Sequence, residues 1–450
     1  MKLFDSTKSV ISSEDLLDAA DFIDAFSNEL QRYPNRITGS ENETACARAI
    51  RNRLHDETDA KTRLEAYRAY PLLGRGAFPF LGIWYLLSIV LYFVSFAGNQ
   101  VAGILLTLLA LVVFISGSIV IASLFLGRRK LQGMLSQKVS YNVVSEFSSD
   151  DGKNKKDGEK ERVIVIADNH DAVIGSYFKD FGLFRKITIM IAPISVVLFI
   201  VFCILKMAIG THGDNAAAKI TVFCVIPAIF GVFGVVSMIT HFSPFEQHAR
   251  QNNGIATCVA MATYAYFVEK PELIPSGVKI VYVSFGGENS AHGGSEAFVK
   301  SHPEFANANV LCIGDIQSGD IKIAECDAIR KIQFSTPMVS TVRSSAYEQD
   351  IEITTVAHDK IGHKFNSLHG YLSNAFAKNG TPTATLVAKD YSSQERVLDR
   401  NDVEKLFSLT VGTVIKLMND APILPKDEKI AEVFVAPPST DMEIKDVSGK

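Results

Sequence analysis

The sequence has little to offer a polyanion. Its formal net charge is only -4, with 45 Lys and Arg against 49 Asp and Glu, so it lacks the basic field that a nucleic-acid binder needs. It also lacks paired cysteines. The six thiols (Cys46, Cys203, Cys224, Cys258, Cys312 and Cys326) are scattered without a CxxC pair, which points to reduced thiols in a cytoplasmic setting rather than a disulfide framework. Residues 1–24 have neither the basic start nor the apolar core of a signal peptide, so targeting is expected from the first membrane helix. No G-x-G-x-x-G or Walker spacing occurs, and Gly286-Gly287 and Gly293-Gly294 are therefore read as tight turns. The absence of a Gly-x-Ser-x-Gly elbow sets aside Ser392 and Ser393 as nucleophiles. No internal repeat is visible.

What is missing most unevenly is charge. Residues 76–97, 101–126, 187–209 and 220–240 are long apolar runs in a chain that is otherwise 21% charged. A helix crossing about 30 Å of hydrocarbon needs about 20 residues, so the runs predict four transmembrane helices in two hairpins. Pro193 and Pro227 are tolerated in such helices. Arg68 and Arg75 precede the first hairpin, and Arg128, Arg129 and Lys130 follow it. Arg185 and Lys186 precede the second, whereas Lys206 and Lys219 near its turn weaken the bias there. Basic flanks mark the cytoplasmic side. The expectation is a multi-pass cell-membrane protein with both termini and the soluble domain in the cytoplasm, the helices serving as an anchor.

The remaining segments alternate apolar β-branched runs with helical patterns. Helical residues 13–55, broken near Pro34, lead to a strand at 62–69. Strands follow at 139–147 and 161–167, with a solvated loop at 148–160. After the second hairpin come helix 255–267, strand 278–285, helix 295–300, strand 309–314, strand 331–335, helix 338–349, strand 351–357, helix 369–378, strand 383–388 and helix 401–419. This order predicts an α/β fold, a mostly parallel sheet with helices on both faces. One discontinuous domain is expected from 1–75, 127–184 and 241–420, interrupted by hairpins at 76–126 and 185–240, with a disordered tail at 421–450.

In such sheets ligands bind beyond the carboxyl ends of the strands. Polar clusters stand at three of those ends: Asp168-Asn169-His170-Asp171, Gly286-Gly287-Glu288-Asn289, and Asp315. A His with carboxylates at one edge suits a hydrolytic metal site, whereas any one cluster alone reads as ordinary loop residues. His292, beside Glu288, and His369 are candidates for substrate binding, with surface histidines the plainer alternative.

Further stretches make the pattern specific. Arg36-Ile37-Thr38-Gly39-Ser40 precedes a helix, Gln251-Asn252-Asn253-Gly254 opens another, Phe285 to Ser295 follows a strand, and Phe376 to Leu386 and Tyr391 to Asp399 come late. In this order they resemble the zinc aminopeptidase family, metallopeptidase family twenty-eight, across nearly all the soluble sequence. The resemblance implies a zinc exopeptidase-like fold and two zinc ions held by a His, a bridging Asp, a Glu, a second Asp and a final His, with a further Glu as general base. Glu288 matches the base. The Glu ligand position holds Asn289, the bridging Asp position Asn252 (Gln251 under a one-residue shift), and the final His position Ser392. The first His is His170, or Asp168 under strict alignment. The other Asp is Asp315, or Gly314 under strict alignment.

Two zinc ions about 3.5 Å apart need anionic ligands to offset their repulsion, and neutral amides and a hydroxyl do not supply them. The expectation is a peptidase fold with weak or no hydrolysis that binds no zinc, or a single zinc on His170, Asp171 and Asp315. Its partners would be the lipid bilayer and peptides or a membrane protein. The alternative is an active exopeptidase with two zinc ions, removing N-terminal residues.

Overall fold

The computed structural model describes residues 11–419, apart from 59, 72–76, 98, 126–136, 149–160, 173–181, 211–214, 242–253, 289–292, 317–318, 328–330, 358–370 and 389–397. The site expectations at Asn252, Asn289, His292, His369 and Ser392 lie outside the described residues, as do the loop expected at 148–160 except for Ser148 and the tail expected at 421–450.

The N-terminal half of the scaffold follows from local rules. Ser12 caps α1 (Ser13–Leu30) by accepting a hydrogen bond from the Asp15 amide, with Glu14 and Asp15 in the first turn, where the helix dipole favours negative charge. Ala20, Ile23, Phe26 and Leu30 form its buried stripe. Ser40 caps α2 (Glu41–Glu57) in the same way, bonding the Glu43 amide. Asn35 and Gly39 both adopt positive φ in the link between the helices, so the break near Pro34 is real. The chain then continues through β1 (Lys61–Ala69), α3 (Ala77–Val94), α4 (Gln100–Phe125), β2 (Lys138–Ser148), β3 (Arg162–Asn169), α5 (Gly182–Ile209), α6 (Ala216–His241) and α7 (Gly254–Glu269). β4 (Val278–Phe285), α8 (Gly293–Ser301), β5 (Asn309–Ile316), β6 (Lys322–Asp327), β7 (Ile332–Gln333), α9 (Thr336–Glu348), β8 (Thr354–Ala357), α10 (Asn374–Lys378), β9 (Thr383–Ala388) and α11 (Arg400–Asn419) complete it.

Strands from before, between and after the hairpins join one sheet in the order β1-β2-β4-β3-β5-β9-β6-β7, with β8 beside β6. The mostly parallel sheet expected from sequence is parallel at its centre and where β8 joins β6, and antiparallel elsewhere. β4, β3, β5 and β9 run the same way, while β2 against β4, β1 against β2, β6 against β9 and β7 against β6 are antiparallel. β6 was not expected at all. The reason is that β1 leads into β2 through a helical hairpin, so the pair returns antiparallel, and β6 enters the sheet beside β9 rather than after a crossover. One face packs α1, α2, α7, α9 and α11 around Ile164, Ile166, Ile280 and Tyr282. The other packs α8 and α10 around Val165, Ala167, Val281 and Phe285.

The four long helices α3 to α6 pack together around Tyr85, Tyr92, Phe114, Phe199 and Phe202. Several of their polar groups point inward: Tyr85 Oη lies 2.7 Å from Ser195 Oγ, and Tyr92 Oη donates to Phe223 O at 2.9 Å. Their outward faces are apolar. Outside these helices, only Leu17, Val139 and Tyr347 among the described residues are large hydrophobic side chains left exposed. In water such a surface would be a liability. Two of the helices contain stretches long and apolar enough to cross a membrane, Gln100–Val120 and Ala216–Val236. The described apolar parts of the other two, Leu81–Val94 and Pro193–Ile209, are shorter.

Candidate functional site

The carboxyl edge of the parallel strands carries a packed set of ionisable groups. β3 runs two residues further than expected, so Asp168 and Asn169 belong to the strand, paired with Ser284 and Phe285 of β4. The period-two alternation of strands then decides their directions. Asp168 turns into the layer beneath α7, where its Oδ1 accepts from Ser284 Oγ at 2.7 Å and Thr257 Oγ1 at 2.8 Å. Burial pushes its carboxyl up to about 6.

His170 follows the strand and is fully buried. Its amide donates to Phe285 O, and its carbonyl accepts from Arg36 Nε at 2.8 Å. Its Nδ1 lies 3.0 Å from Ser284 Oγ. Because the Ser284 hydroxyl donates to Asp168, the Ser284 oxygen is left to accept, which places the ring proton on Nδ1. Burial, then the nearby Arg36 guanidinium, push His170 down to about 3, so the ring is neutral. Nε2 has no hydrogen-bond partner among the described residues. Asp171 turns elsewhere, accepting from Asn169 Nδ2 at 3.0 Å and Thr38 Oγ1 at 3.5 Å.

Glu288 is buried. Its carboxylate accepts from the Ser295 amide and from Ser295 Oγ at 3.0 Å, closing the 286–295 turn onto the start of α8. Burial, opposed by the Ser295 bonds, leaves its carboxyl at about 8. The turn is held from the other side by Glu43, which sequence reading missed. Glu43 Oε1 accepts from Ser140 Oγ and the Gly287 amide, each at 2.8 Å, and Oε2 accepts from the Gly39 amide. Burial and then the Asp171 charge raise it to about 8. Tyr67 Oη donates to Gly286 O at 2.7 Å, and Asn142 bonds both the Gly286 amide and Gly294 O. The available signal was Ser40-x-x-Glu43, which reads as a capping box; Ser40 caps as expected, but Glu43 bonds the Gly39 amide instead of Ser40's and reaches across to Gly287. Gly286-Gly287 is a tight turn, as expected, whereas Gly293-Gly294 opens α8 instead. Gly287 has φ +57°, and a Cβ on Gly294 would overlap Gly286 O.

The structure thus brings His170, Asp171, Glu43 and Glu288 to one edge, but does not aim them at one point. The single-metal expectation on His170, Asp171 and Asp315 meets three facts. His170 bonds Ser284 on β4, and Asp171 bonds Asn169 and Thr38. Asp315 lies within β5 rather than after it, with its side chain outside the described residues. Among the described residues no three His, Cys, Asp or Glu side chains form a group that could hold a metal ion. Glu288, which matches the general base in the resemblance, has both oxygens engaged by Ser295, while Asn252, Asn289 and Ser392, the neutral residues that the resemblance sets at ligand positions, lie outside the described residues.

No family model matches the sequence, and no curated protein does. Solved structures do. An aminopeptidase from Aneurinibacillus sp. strain AM-1 aligns at a TM-score of 0.46 and 10% identity, covering 92% of this chain and 99% of its own. A Zn-dependent exopeptidase from Parabacteroides distasonis aligns at 0.46 and 10%, covering 89% and 98%. A glutaminyl cyclase from an Acidobacteriales bacterium aligns at 0.46 and 12%, covering 93% and 99%. The structural neighbours are thus zinc aminopeptidases and glutaminyl cyclases at low sequence identity.

Proposed function

We propose that this chain is a membrane-anchored protein of peptidase-like fold that has given up binuclear zinc hydrolysis and uses the edge around His170 and Glu288 to bind peptides or a membrane protein partner. All four long helices span the bilayer, and the discontinuous soluble domain and both termini are cytoplasmic. The observation that carries this reading is Glu288. A general base must present a carboxylate to the attacking water. This carboxyl is turned onto the Ser295 amide and hydroxyl and is held at about 8, so it is protonated at neutral pH. The neutral residues at the remaining ligand positions, Asn252, Asn289 and Ser392, add to the deficit, because uncharged donors do not offset the repulsion of two divalent ions. For the membrane, the support is the outward, largely apolar face of α3 to α6, with Tyr85, Ser195 and Tyr92 bonded inside and the exposed Ser116 and Thr221 hydroxyls bonded to backbone carbonyls of their own helices, an arrangement that suits hydrocarbon solvent.

The test is metal content together with hydrolysis. Protein purified in detergent without chelator should hold fewer than two zinc equivalents and leave aminoacyl-p-nitroanilides intact. Two equivalents with turnover that Glu288→Gln abolishes would establish the active exopeptidase instead.

A further inference from the structure

Both ring nitrogens of His302 face carboxylates. His302 follows the last turn of α8, where its Nδ1 lies 2.7 Å from Glu304 Oε1 and its Nε2 lies 2.9 Å from Glu65 Oε2. Glu304 belongs to the short 3₁₀ turn Pro303–Asn307, and Glu65 to β1 at the edge of the sheet. A neutral imidazole has one N–H and one lone pair, so it serves only one of two ionised carboxylates. The imidazolium donates to both, and the carboxyl end of a helix favours a cation there. The ring is held in place: it lies 4.6 Å from the Phe298 ring centre and 5.5 Å from that of Phe305, both buried in the core of that face. Beyond the two carboxylates stand Arg63 of β1, which bonds Glu65 at 2.8 Å and also Glu146 of β2, and Lys279 of β4, which bonds Glu146. Burial opposes the ring's charge, but the bonds to Glu304 and Glu65 outweigh it and hold His302 above its ordinary 6.5.

We infer that His302 is a pH-sensitive clasp between α8 and the edge strand β1, closed while the ring is charged and opened when it loses its proton. Among the described residues β1 has β2 as its one strand neighbour, so a tie from a helix counts for more there than on an inner strand. Side chains alternate along a strand, which puts Arg63, Glu65 and Tyr67 on one face. Tyr67 Oη holds Gly286 O, and the turn that follows is closed by Glu288 on Ser295, in the first turn of α8. The same strand therefore grips α8 at its far end through His302 and the turn before it through Tyr67. When the ring loses its proton, one nitrogen presents a lone pair to a carboxylate and an attraction becomes a repulsion. The buried Phe298 and Phe305 keep their packing, so the outcome is a looser β1 and a looser end of α8, not unfolding. The folded chain binds this proton more tightly than the unfolded one. The clasp's contribution is complete below pH 6.5 and is lost as pH rises through the raised value. β1 is also the strand from which the chain enters α3, so the clasp acts on the element that connects sheet and bundle. It works in the same way whether the edge around Glu288 binds peptides or cleaves them.

Two measurements test this on the full chain in detergent. The first follows the carbon-13 signals of labelled histidine rings from about pH 5 to about pH 9, with His302 assigned as the signal missing in His302→Gln. Its midpoint should lie above 6.5 and should move down in Glu65→Gln. A midpoint at or below 6.5, or one that Glu65→Gln leaves in place, overturns the clasp. The second is amide hydrogen exchange of segments 61–69 and 296–305, corrected for the intrinsic dependence of exchange on pH and compared at about pH 6 and about pH 9. Protection of both segments should fall at least about fivefold at the higher pH, while segment 164–167 of the inner strand β3 keeps its protection. Glu43 and Glu288, at about 8, titrate in the same window, but an effect of theirs would survive His302→Gln. The clasp predicts that this variant exchanges faster than the wild type at about pH 6 and loses most of the difference between the two pH values. An undiminished fall in the variant, or no fall in the wild type, overturns the inference.

Discussion

Glu43 shows how one buried carboxyl can hold a site together without acting on a ligand. It accepts from two backbone amides and a hydroxyl that come from three separate segments, at Gly39, Ser140 and Gly287. Leaving such buried donors unpaired costs about 1–3 kcal/mol each, so Glu43→Ala is expected to lower unfolding stability by several kcal/mol, read by denaturant titration in detergent. Glu43→Gln keeps an acceptor and should lose much less. Glu43 and Glu288 both hold their protons up to about 8 in the folded chain, against an ordinary value of 4.5. Between those values the folded state binds protons that the unfolded state has released. Their contribution to stability is therefore greatest below pH 4.5 and declines as pH rises to about 8. Thermal midpoints should fall across that window, and the fall should shrink in a Glu43→Gln, Glu288→Gln double variant. Gly294→Ala tests the turn itself. Its new Cβ would meet Gly286 O, a backbone atom fixed by Tyr67, and a loss of about 1–3 kcal/mol is expected from the forced shift.

At the scale of elements, strand ends decided which side chains face the cleft. The apolar run suggested that β3 stops at Ala167, but the ladder continues to Asn169, because β4 offers partners through Phe285. That extension sends Asp168 under α7 and leaves His170 as the residue at the edge. Sequence spacing could not separate the two, since both sit in one polar run and only the neighbouring strand sets where pairing stops. Lys206 was equally misleading. In the sequence it counted only as a basic residue near the hairpin turn that weakened the charge bias, yet it is buried in the bundle. It donates to Ser95 Oγ and to Tyr92 O at 3.4 Å, and it sits 3.2 Å from the Phe96 ring centre. It thus fastens the end of α5 to the end of α3, where carbonyls lack helical partners. Lys206→Met should weaken association of the two hairpins by about 1 kcal/mol, measurable as faster unfolding in mixed detergent micelles.

Across the whole molecule, the proposed deficit at the metal positions makes a reversible prediction. Asn289→Glu, Ser392→His and Asn252→Asp together restore two carboxylates and an imidazole, and the triple variant should regain zinc binding, measured by calorimetry, where the wild type shows little. If the triple variant takes up no zinc, the correspondence between these positions and a metal site is wrong.

Segregation of charge was written along the chain. Four long apolar runs, with Lys206 the one charge inside them, coincide with four helices that pack on one another. The spacing of β-branched runs and helical patterns likewise marked most strands and helices, since these depend on residues a few positions apart. Three features needed the folded molecule: the antiparallel flanks of the sheet, the inward turn of Glu288 onto Ser295, and Glu43 joining segments up to 244 residues apart. Strand neighbours and buried hydrogen bonds are chosen by contacts between distant segments, and their partners carry no local pattern that could announce them.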